Sequence, residues 1–320
     1  MQPLAGLLVV DLTRYLPGPF ASRELLRLGA RVVRLESTDG DPLRAIAPQW
    51  DAALNAGKES VVCDLKNDRE LGHALLSRAD VVLEGFRPGV AKRLGVAADD
   101  LPDTVVYCSL TGFGLGADAA RVGHDLNYMG WAGALADTAP ALPPVQAADL
   151  AAGALQAVTD ALAVLLERER TGKGRHVVVS MTHGAHRLAA HRLAGEPIDR
   201  ILTGGLACYR IYATADGRWL TVAALEQRFF ERLCELIERP HLVALQYDAS
   251  AQDVVAAELA EVFAGRALDD WLAVFDGEDV STGPVATLEE AAASFGTDPP
   301  TDSAPALGAH TDAWRRELGL

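Results

Sequence analysis

Short apolar runs rich in β-branched residues alternate with amphipathic stretches through the first half of the chain. Such runs, bounded by glycine, proline or charged residues, are typical of strands that are buried on both faces. The pattern predicts strands at residues 7–10, 32–35, 60–63, 81–83, 105–108 and 177–179. It predicts helices at residues 20–28, 70–77, 90–94, 150–170 and 181–194. Strands and helices that alternate in this way predict a Rossmann-like, doubly wound parallel sheet, whose ligands bind at the carboxyl ends of the strands.

The pattern changes after residue 195. Residues 209–212 and 219–222 are β-rich and flank Ala215-Asp216-Gly217-Arg218, which is a strong signal for a β-hairpin. Further helices are predicted at residues 227–237, 251–264, 268–276 and 288–293, followed by a loose tail at residues 296–305. We therefore predict a large α/β domain at residues 1–195, a linker at 196–208 and a small α+β domain at 209–282.

Composition and charge limit the function classes. The chain has 320 residues with 49% hydrophobic composition and a net charge of −15, which argues against nucleic acid or an anionic membrane as the main partner. The four cysteines are far apart, so we predict reduced thiols in a cytoplasmic protein. No signal peptide is predicted, and the apolar stretch at residues 150–166 is predicted to be too short to span a bilayer.

A histidine and an aspartate stand out as candidate chemistry. His124 follows Gly123, which permits close approach of a ligand to the backbone, and Asp149 immediately precedes the predicted helix at residues 150–170. A reaction that moves a proton across one carbon needs two titratable groups, and histidine with aspartate is a suitable pair. Asp149 also fits an N-cap, where the helix would stabilise its anion, and His124 also fits a structural histidine. Only the fold can bring the two together.

The remaining motifs indicate neither a metal site nor a dinucleotide-binding site. His183, His186 and His191 lie on one predicted helix, but no carboxylate or cysteine completes a tetrahedral ligand set, so a metal site is not predicted. The dinucleotide fingerprint G-x-G-x-x-G is absent after the first predicted strand, and the glycine-rich segment 112–116 is predicted to be a loop.

Several motifs together resemble one family. They are Asp11-Leu12-Thr13 with Pro17-Gly18-Pro19-Phe20, Gly29-Ala30-Arg31-Val32-Val33-Arg34-Leu35-Glu36, Glu84-Gly85-Phe86-Arg87-Pro88-Gly89, Gly123-His124-Asp125-Leu126-Asn127-Tyr128 and Leu225-Glu226-Gln227-Arg228-Phe229-Phe230. With them the chain resembles the class III CoA-transferases (CaiB/BaiF type), a family that includes α-methylacyl-CoA racemase. The segment 123–128 is similar to the racemase branch in particular.

The resemblance implies an interlocked homodimer, with each active site between the large domain of one chain and the small domain of the other. It also implies that residues 283–320 return to the large domain. His124 and Asp149 would be catalytic, and Glu226 would reach across the dimer to orient His124. The residues implied to bind CoA are Arg34, Lys58, Gly85, Arg87, Arg93, Gly123 and Tyr128. The four cations could otherwise be simple surface charges, and Ser37 stands where relatives often carry a basic residue.

The leading functional hypothesis is therefore an acyl-CoA racemase or epimerase that inverts the α-carbon of 2-methylacyl-CoA thioesters. His124 and Asp149 would serve opposite faces of that carbon, with no cofactor beyond the CoA of the substrate. One alternative is a CoA-transferase that moves CoA between carboxylic acids through an aspartyl-CoA thioester on Asp149. The other is an inactive CoA-binding paralogue.

Overall fold

Two compact units make up the chain. The computed structural model describes residues 2–196, 198–296 and 303–320. The first unit is Met1–Ala190 with Asp298–Leu320, and the second is His191–Thr297. The first contains a six-stranded parallel sheet, as the strand pattern predicted. The second contains a three-stranded antiparallel sheet, of which the predicted hairpin supplies two strands. The predicted fold class is confirmed.

The large sheet has the doubly wound strand order β3-β2-β1-β4-β5-β6. Its strands are β1 (Leu8–Asp11), β2 (Arg31–Glu36), β3 (Glu59–Val62), β4 (Val81–Glu84), β5 (Val106–Thr111) and β6 (His176–Ser180). Consecutive valines such as Val9 and Val10 are both buried, in clusters on opposite faces of the sheet. Successive side chains of a strand point to opposite faces, so the unbroken apolar runs require cover on both sides.

Helices cover this sheet. They are α1 (Pro17–Arg27), α2 (Leu43–Ile46), α3 (Pro48–Asn55), α4 (Arg69–Ser77), α5 (Val90–Leu94), α6 (Asp125–Trp131), a π-helical turn (Ala148–Leu155) that continues into α7 (Gln156–Thr171), and α8 (Met181–Ala189). Helix α1 begins at Pro17, before the helix predicted at residues 20–28, because the missing N–H of a proline at the first helical position costs no hydrogen bond. The helix predicted at residues 181–194 ends earlier and continues as a 3₁₀ turn, Ala190–Ala194.

The second unit is a small α+β fold. Its elements are β7 (Tyr209–Ala213), β8 (Trp219–Ala223), α9 (Gln227–Leu236), α10 (Gln252–Phe263), α11 (Leu268–Phe275), β9 (Thr282–Pro284) and α12 (Leu288–Phe295). The predicted hairpin is present as antiparallel β7 and β8. Strand β9 pairs with β8, so the second unit continues past residue 282 rather than ending there.

The C-terminal helix α13 (Thr311–Leu318) belongs to the first unit. Trp314 is buried against the core residues Val33 and Val61 of the large sheet. Beside it, His310 and Thr311 bond to the outer edge of β3, where Ser60 N–H donates to His310 Nδ1 at 3.1 Å and Val62 N–H to Thr311 Oγ1 at 3.0 Å. Part of the loose tail expected at residues 296–305 lies outside the described residues.

Among the described residues, one helical stretch is long and apolar enough to cross a membrane by length and composition alone. It runs from Ala148 to Thr171, which is 24 residues, and contains an 18-residue window with a mean hydropathy of 1.5. The prediction that this stretch is too short was wrong, because the helix extends beyond residues 150–166 at both ends. Ala157, Val158 and Ala161 are buried in one cluster with the strand residue Val106. One face of this stretch therefore packs in the core beneath the large sheet.

Candidate active site

Asp149 is the second residue of the π-helical turn. Helices α1 and α8 pack against this turn. Small residues allow the close approach of α8, since a Cβ added to Gly184 would lie 2.7 Å from the carbonyl oxygen of Ala152. The N-cap interpretation of Asp149 was wrong, because Ala147 precedes the turn and Asp149 lies within it. Asp149 is half-buried there.

His124 immediately precedes α6 and is exposed. Its backbone N–H donates to Asn127 Oδ1 at 3.0 Å, and the Tyr128 hydroxyl donates to the carbonyl of Gly123 at 2.5 Å. A Cβ added to Gly123 would lie 3.0 Å from Tyr128 Cε1, so this glycine lets the turn pack on the tyrosine ring. Tyr128 itself is buried and supports the turn. These bonds fix the backbone that carries the His124 imidazole.

Asp125 joins the two candidate segments. Its side chain is buried, and its Oδ1 accepts a hydrogen bond from the backbone N–H of Asp149 at 2.9 Å. Because Asp125 directly follows His124, this bond brings the His124 turn to the Asp149 turn. The His124 turn lies just beyond the end of β5. Gly112, the residue after that strand, packs so closely on the Tyr128 ring that a Cβ added to it would lie 2.6 Å from Tyr128 Cε1. The site is therefore at the carboxyl end of the sheet.

The environment of Asp149 favours its protonated form. Burial raises the pKa of this carboxyl, and the negative charge of Asp125 raises it further, to about 7. The pKa of Tyr128 is raised to about 12, by burial first and then by the charges of Asp149 and Asp125. The sequence predicted that a helix N-terminus would stabilise the Asp149 anion and so lower its pKa. In the structure the pKa of Asp149 is instead raised. Near pH 7 both forms of Asp149 are populated.

Arg87 and Arg93 are exposed near the carboxyl end of β4. Between them Gly89 adopts φ +78°, a conformation that favours glycine, and begins α5. The buried Glu84 holds this turn, since its Oε2 accepts the backbone N–H of Phe86 at 2.7 Å. Within the described ranges, neither guanidinium donates a hydrogen bond to a protein group. Both are thus oriented by the turn and available to an anion.

Arg34 is not a surface charge. It is 2% exposed, and its Nη2 donates to Asp51 Oδ1 at 3.0 Å and lies 3.5 Å from both Glu36 and Asp41. Its Nη1 is buried without a hydrogen-bond partner among the described residues. The interpretation of Arg34 as a simple surface cation was wrong, because it is buried among carboxylates on β2, on the following loop and on α3.

Lys58 is buried in the same region. Its Nζ donates to the carbonyl of Pro19 at 2.8 Å, to Ser22 Oγ at 2.7 Å and to Asn55 Oδ1 at 2.8 Å. Burial lowers the pKa of Lys58 to about 7, against the opposing charge of Asp11. All three ammonium protons are thus directed at protein groups. The interpretation of Lys58 as a simple surface cation was therefore also wrong. Because Lys58 and Arg34 are both buried among protein groups, the proposed CoA site does not include them.

Comparison with known proteins decides the family. The profile of CoA-transferase family III matches residues 4–311. The chain belongs to CoA-transferase family III. It is 32% identical to human alpha-methylacyl-CoA racemase over 308 residues, which cover 90% of this chain and 78% of that protein. It is also 32% identical to acetyl-CoA:oxalate CoA-transferase of Acetobacter aceti over 322 residues, covering 91% and 82% of the two chains.

Solved structures agree with the family. The crystal structure of a CaiB/BaiF family protein from Brucella suis is 27% identical, with a TM-score of 0.83 and 99% of each chain covered. Racemases and CoA-transferases are both enzymes, so this member of family III is an enzyme of one of those kinds. Because the chain is equally identical to a racemase and to a CoA-transferase, sequence identity does not distinguish the two reactions. The residues of the site have to distinguish them.

The remaining predicted residues lie elsewhere. Glu226 is exposed in the second unit, at the start of α9, where its carbonyl accepts the N–H of Phe229 at 3.0 Å. Gly85 is exposed after β4. His186 Nδ1 lies 3.0 Å from the carbonyl of Ala132, and within the part of the chain that the structure describes no group of three potential ligands is placed to hold a metal ion.

Two features of the site were missed from the sequence. The sequence analysis gives Asp125 no role of its own. The available signal was an acidic residue directly after a candidate histidine, at the start of a helix. Trp131, at the end of α6, is 64% exposed, and the Arg121 guanidinium lies 4.0 Å from its ring centroid. Leu126 on the same helix is also exposed. The site is thus bordered by apolar side chains that face solvent.

Proposed function

We propose that this protein is an acyl-CoA racemase or epimerase that inverts the α-carbon of 2-methylacyl-CoA thioesters. The observation that carries the proposal is the bond between Asp125 and the backbone of Asp149, which joins the segment that carries His124 to the turn that carries Asp149. The pKa of Asp149, about 7, supports it, because an acid and base at neutral pH work best with a pKa near that pH. The exposed Leu126 and Trp131 beside the site suit an acyl chain.

The reaction follows from the two groups. The thioester carbonyl makes the α-proton acidic, and the neutral imidazole of His124 removes it to leave an enolate. Protonated Asp149 then donates its proton to the opposite face of the α-carbon, and the thioester re-forms with inverted configuration. The reverse reaction uses the carboxylate of Asp149 as base and the imidazolium of His124 as acid. The proposed reaction needs no cofactor beyond the CoA of the substrate.

A CoA-transferase is the second candidate, favoured by the similarity to the Acetobacter aceti enzyme. There the Asp149 carboxylate would attack the thioester carbonyl and release the CoA thiolate, forming an anhydride. The thiolate would then attack the aspartyl carbonyl, releasing the acid and leaving an aspartyl-CoA thioester. We rank it second because a raised pKa reduces the ionised fraction of Asp149, which a nucleophile requires.

Proton exchange in D₂O separates these candidates. We expect the protein to incorporate deuterium at the α-carbon of one or more 2-methylacyl-CoA substrates, without a carboxylic acid acceptor. Hydroxylamine should trap no aspartyl-CoA or anhydride during this reaction. Trapping together with acyl transfer would support the transferase, and CoA binding with neither reaction would contradict both proposals.

Arg87 is expected to bind a CoA phosphate. Arg87→Ala should weaken CoA binding by about tenfold to a hundredfold, since a hydrogen bond to a charged group contributes about 1.5–3 kcal/mol. The remaining affinity should depend less on salt. Isothermal titration at two ionic strengths measures both effects. Arg170→Ala is the control, because it removes an exposed cation at the far end of α7. Equal affinities for the two variants would contradict the placement.

We further propose an interlocked cytoplasmic homodimer. His124 and Glu226 lie in separate units, and the start of the second unit exposes Leu193 at 79%, as a surface covered by a partner would. The four buried, free cysteines suit a reducing compartment. Sedimentation velocity should give a single dimeric species at micromolar concentration. A stable, folded monomer would rule out the interlocked assembly.

A further inference from the structure

A second carboxylate, Asp125, supports Asp149 from the start of α6. Its side chain is 7% exposed, and its Oδ1 accepts the Asp149 N–H at 2.9 Å across 24 residues of sequence. Within the described ranges, no lysine, arginine or histidine forms an ion pair with it. We propose that Asp125 is a positioning residue for proton transfer: it fixes the backbone of Asp149 and holds an uncompensated negative charge beside that carboxyl.

The hydrogen bond has a clear local role. A π-helical turn forms bonds five residues back, so the first N–H groups of the turn need partners from outside it. Asp125 supplies one of these partners at Asp149 itself. The bond therefore fixes where the Asp149 side chain leaves the backbone, relative to the segment that carries His124. A neutral oxygen could form the same bond, so geometry alone does not require a charge at Asp125.

The charge of Asp125 has a separate effect. Several titratable groups lie on the helices around the turn: Asp125 and Tyr128 on α6, His183 and His186 on α8, and Arg23 on α1. Of these, Asp125 supplies the charge that adds to burial in raising the pKa of Asp149. Two nearby carboxyls resist being ionised together, so one of them retains a proton at higher pH. Asp125 thus keeps Asp149 able to donate a proton near neutrality.

This inference rests on the proposed function for its catalytic meaning, but its physical content can be measured directly. Asp125→Asn preserves the acceptor oxygen and removes the charge, whereas Asp125→Ala removes both. In Asp125→Asn we expect the pKa of Asp149 to fall by about one unit, as one nearby charge produces a shift of that order. The bell-shaped pH profile of kcat/KM should move to lower pH by a similar amount, which a purely structural role would not cause.

The titration of Asp149 can be followed by carbon NMR of protein labelled at the aspartate carboxyls. The resonance is assigned by its disappearance in Asp149→Asn. Asp103→Asn is the matched control, because it removes an exposed carboxylate that lies 3.3 Å from Lys173. It should leave the Asp149 titration unchanged. An Asp125→Asn protein whose Asp149 titrates as in the wild type would overturn the inference.

The two proposals can fail separately. If the wild type exchanges no α-proton, the racemase proposal fails, while the NMR titration still decides the role of Asp125. If the wild type exchanges protons but neither the titration nor the pH profile moves in Asp125→Asn, the inference about Asp125 fails alone. Asp125→Ala adds a second readout: if orientation matters, it should lose at least tenfold more kcat than Asp125→Asn, with little further change in KM.

Discussion

Replacing His124 or Asp149 by alanine is expected to reduce net inversion by about a thousandfold or more, because inversion needs both an acid and a base. Exchange of the substrate α-proton with solvent deuterium should persist in part. In His124→Ala, Asp149 can still remove and return a proton on its own face, so deuterium enters one enantiomer only. In Asp149→Ala, the other enantiomer should exchange. Deuterium incorporation into each pure enantiomer measures this mirrored pattern.

Two controls and one contrary result define this test. His73→Ala and Asp103→Ala remove exposed groups of the same kinds outside the site and should retain activity. A CoA-transferase predicts a different pattern, in which Asp149→Ala is inactive and His124→Ala remains active. Full acyl transfer between a free acid and CoA by His124→Ala would therefore refute the racemase proposal.

Replacing Arg34 by alanine is expected to lower the free energy of unfolding by about 3–5 kcal/mol, the usual cost of removing one partner from a buried ion pair. The change leaves Asp41 without an ion-pair partner among the described residues, and it leaves Glu36 and Asp51 with Arg44 alone. Asp41 is 3% exposed, so little solvent reaches this cluster, and burial raises the pKa of its carboxyl. Urea denaturation at pH 7 would measure the loss.

The control for Arg34 is an exposed ion pair. Arg27 lies 2.8 Å from Glu24 on the surface of α1, and Arg27→Ala should cost less than about 1 kcal/mol. If the Arg34 and Arg27 variants unfold at similar urea concentrations, the buried cluster contributes no more than a surface pair. CoA affinity of the folded Arg34→Ala protein would show separately whether this arginine also contributes to binding.

Much of the fold was accessible from the sequence, because strands buried on both faces leave unbroken apolar runs. The helix predicted at residues 90–94 matches α5, and the predicted hairpin matches β7 and β8. The short helices α2 and α3 were missed, since four and eight residues give too little periodicity. The π-helical turn was missed as well, because its sequence has the composition of an ordinary α-helix.

The site was less accessible than the fold. The sequence predicts His124 and Asp149 as partners in one site, but the contact that joins their two segments is made by Asp125 over 24 residues and has no local signal. The buried state of Arg34 and Lys58 was also hidden, because charged residues are rarely buried unless paired and their partners are dispersed along the chain. The direction of the pKa shift at Asp149 depends on burial, which no short motif reveals.

The C-terminal segment has a consequence for biosynthesis. Trp314 Nε1 donates to Glu59 Oε2 across 255 residues of sequence, and the outer N–H groups of β3 are bonded by His310 and Thr311. A ribosome must therefore release residues 310–314 before the edge of the large sheet can be covered. The second unit is continuous in sequence and can fold while the edge strand β3 of the first unit is still uncovered. During synthesis, we expect chaperones to bind at that exposed edge.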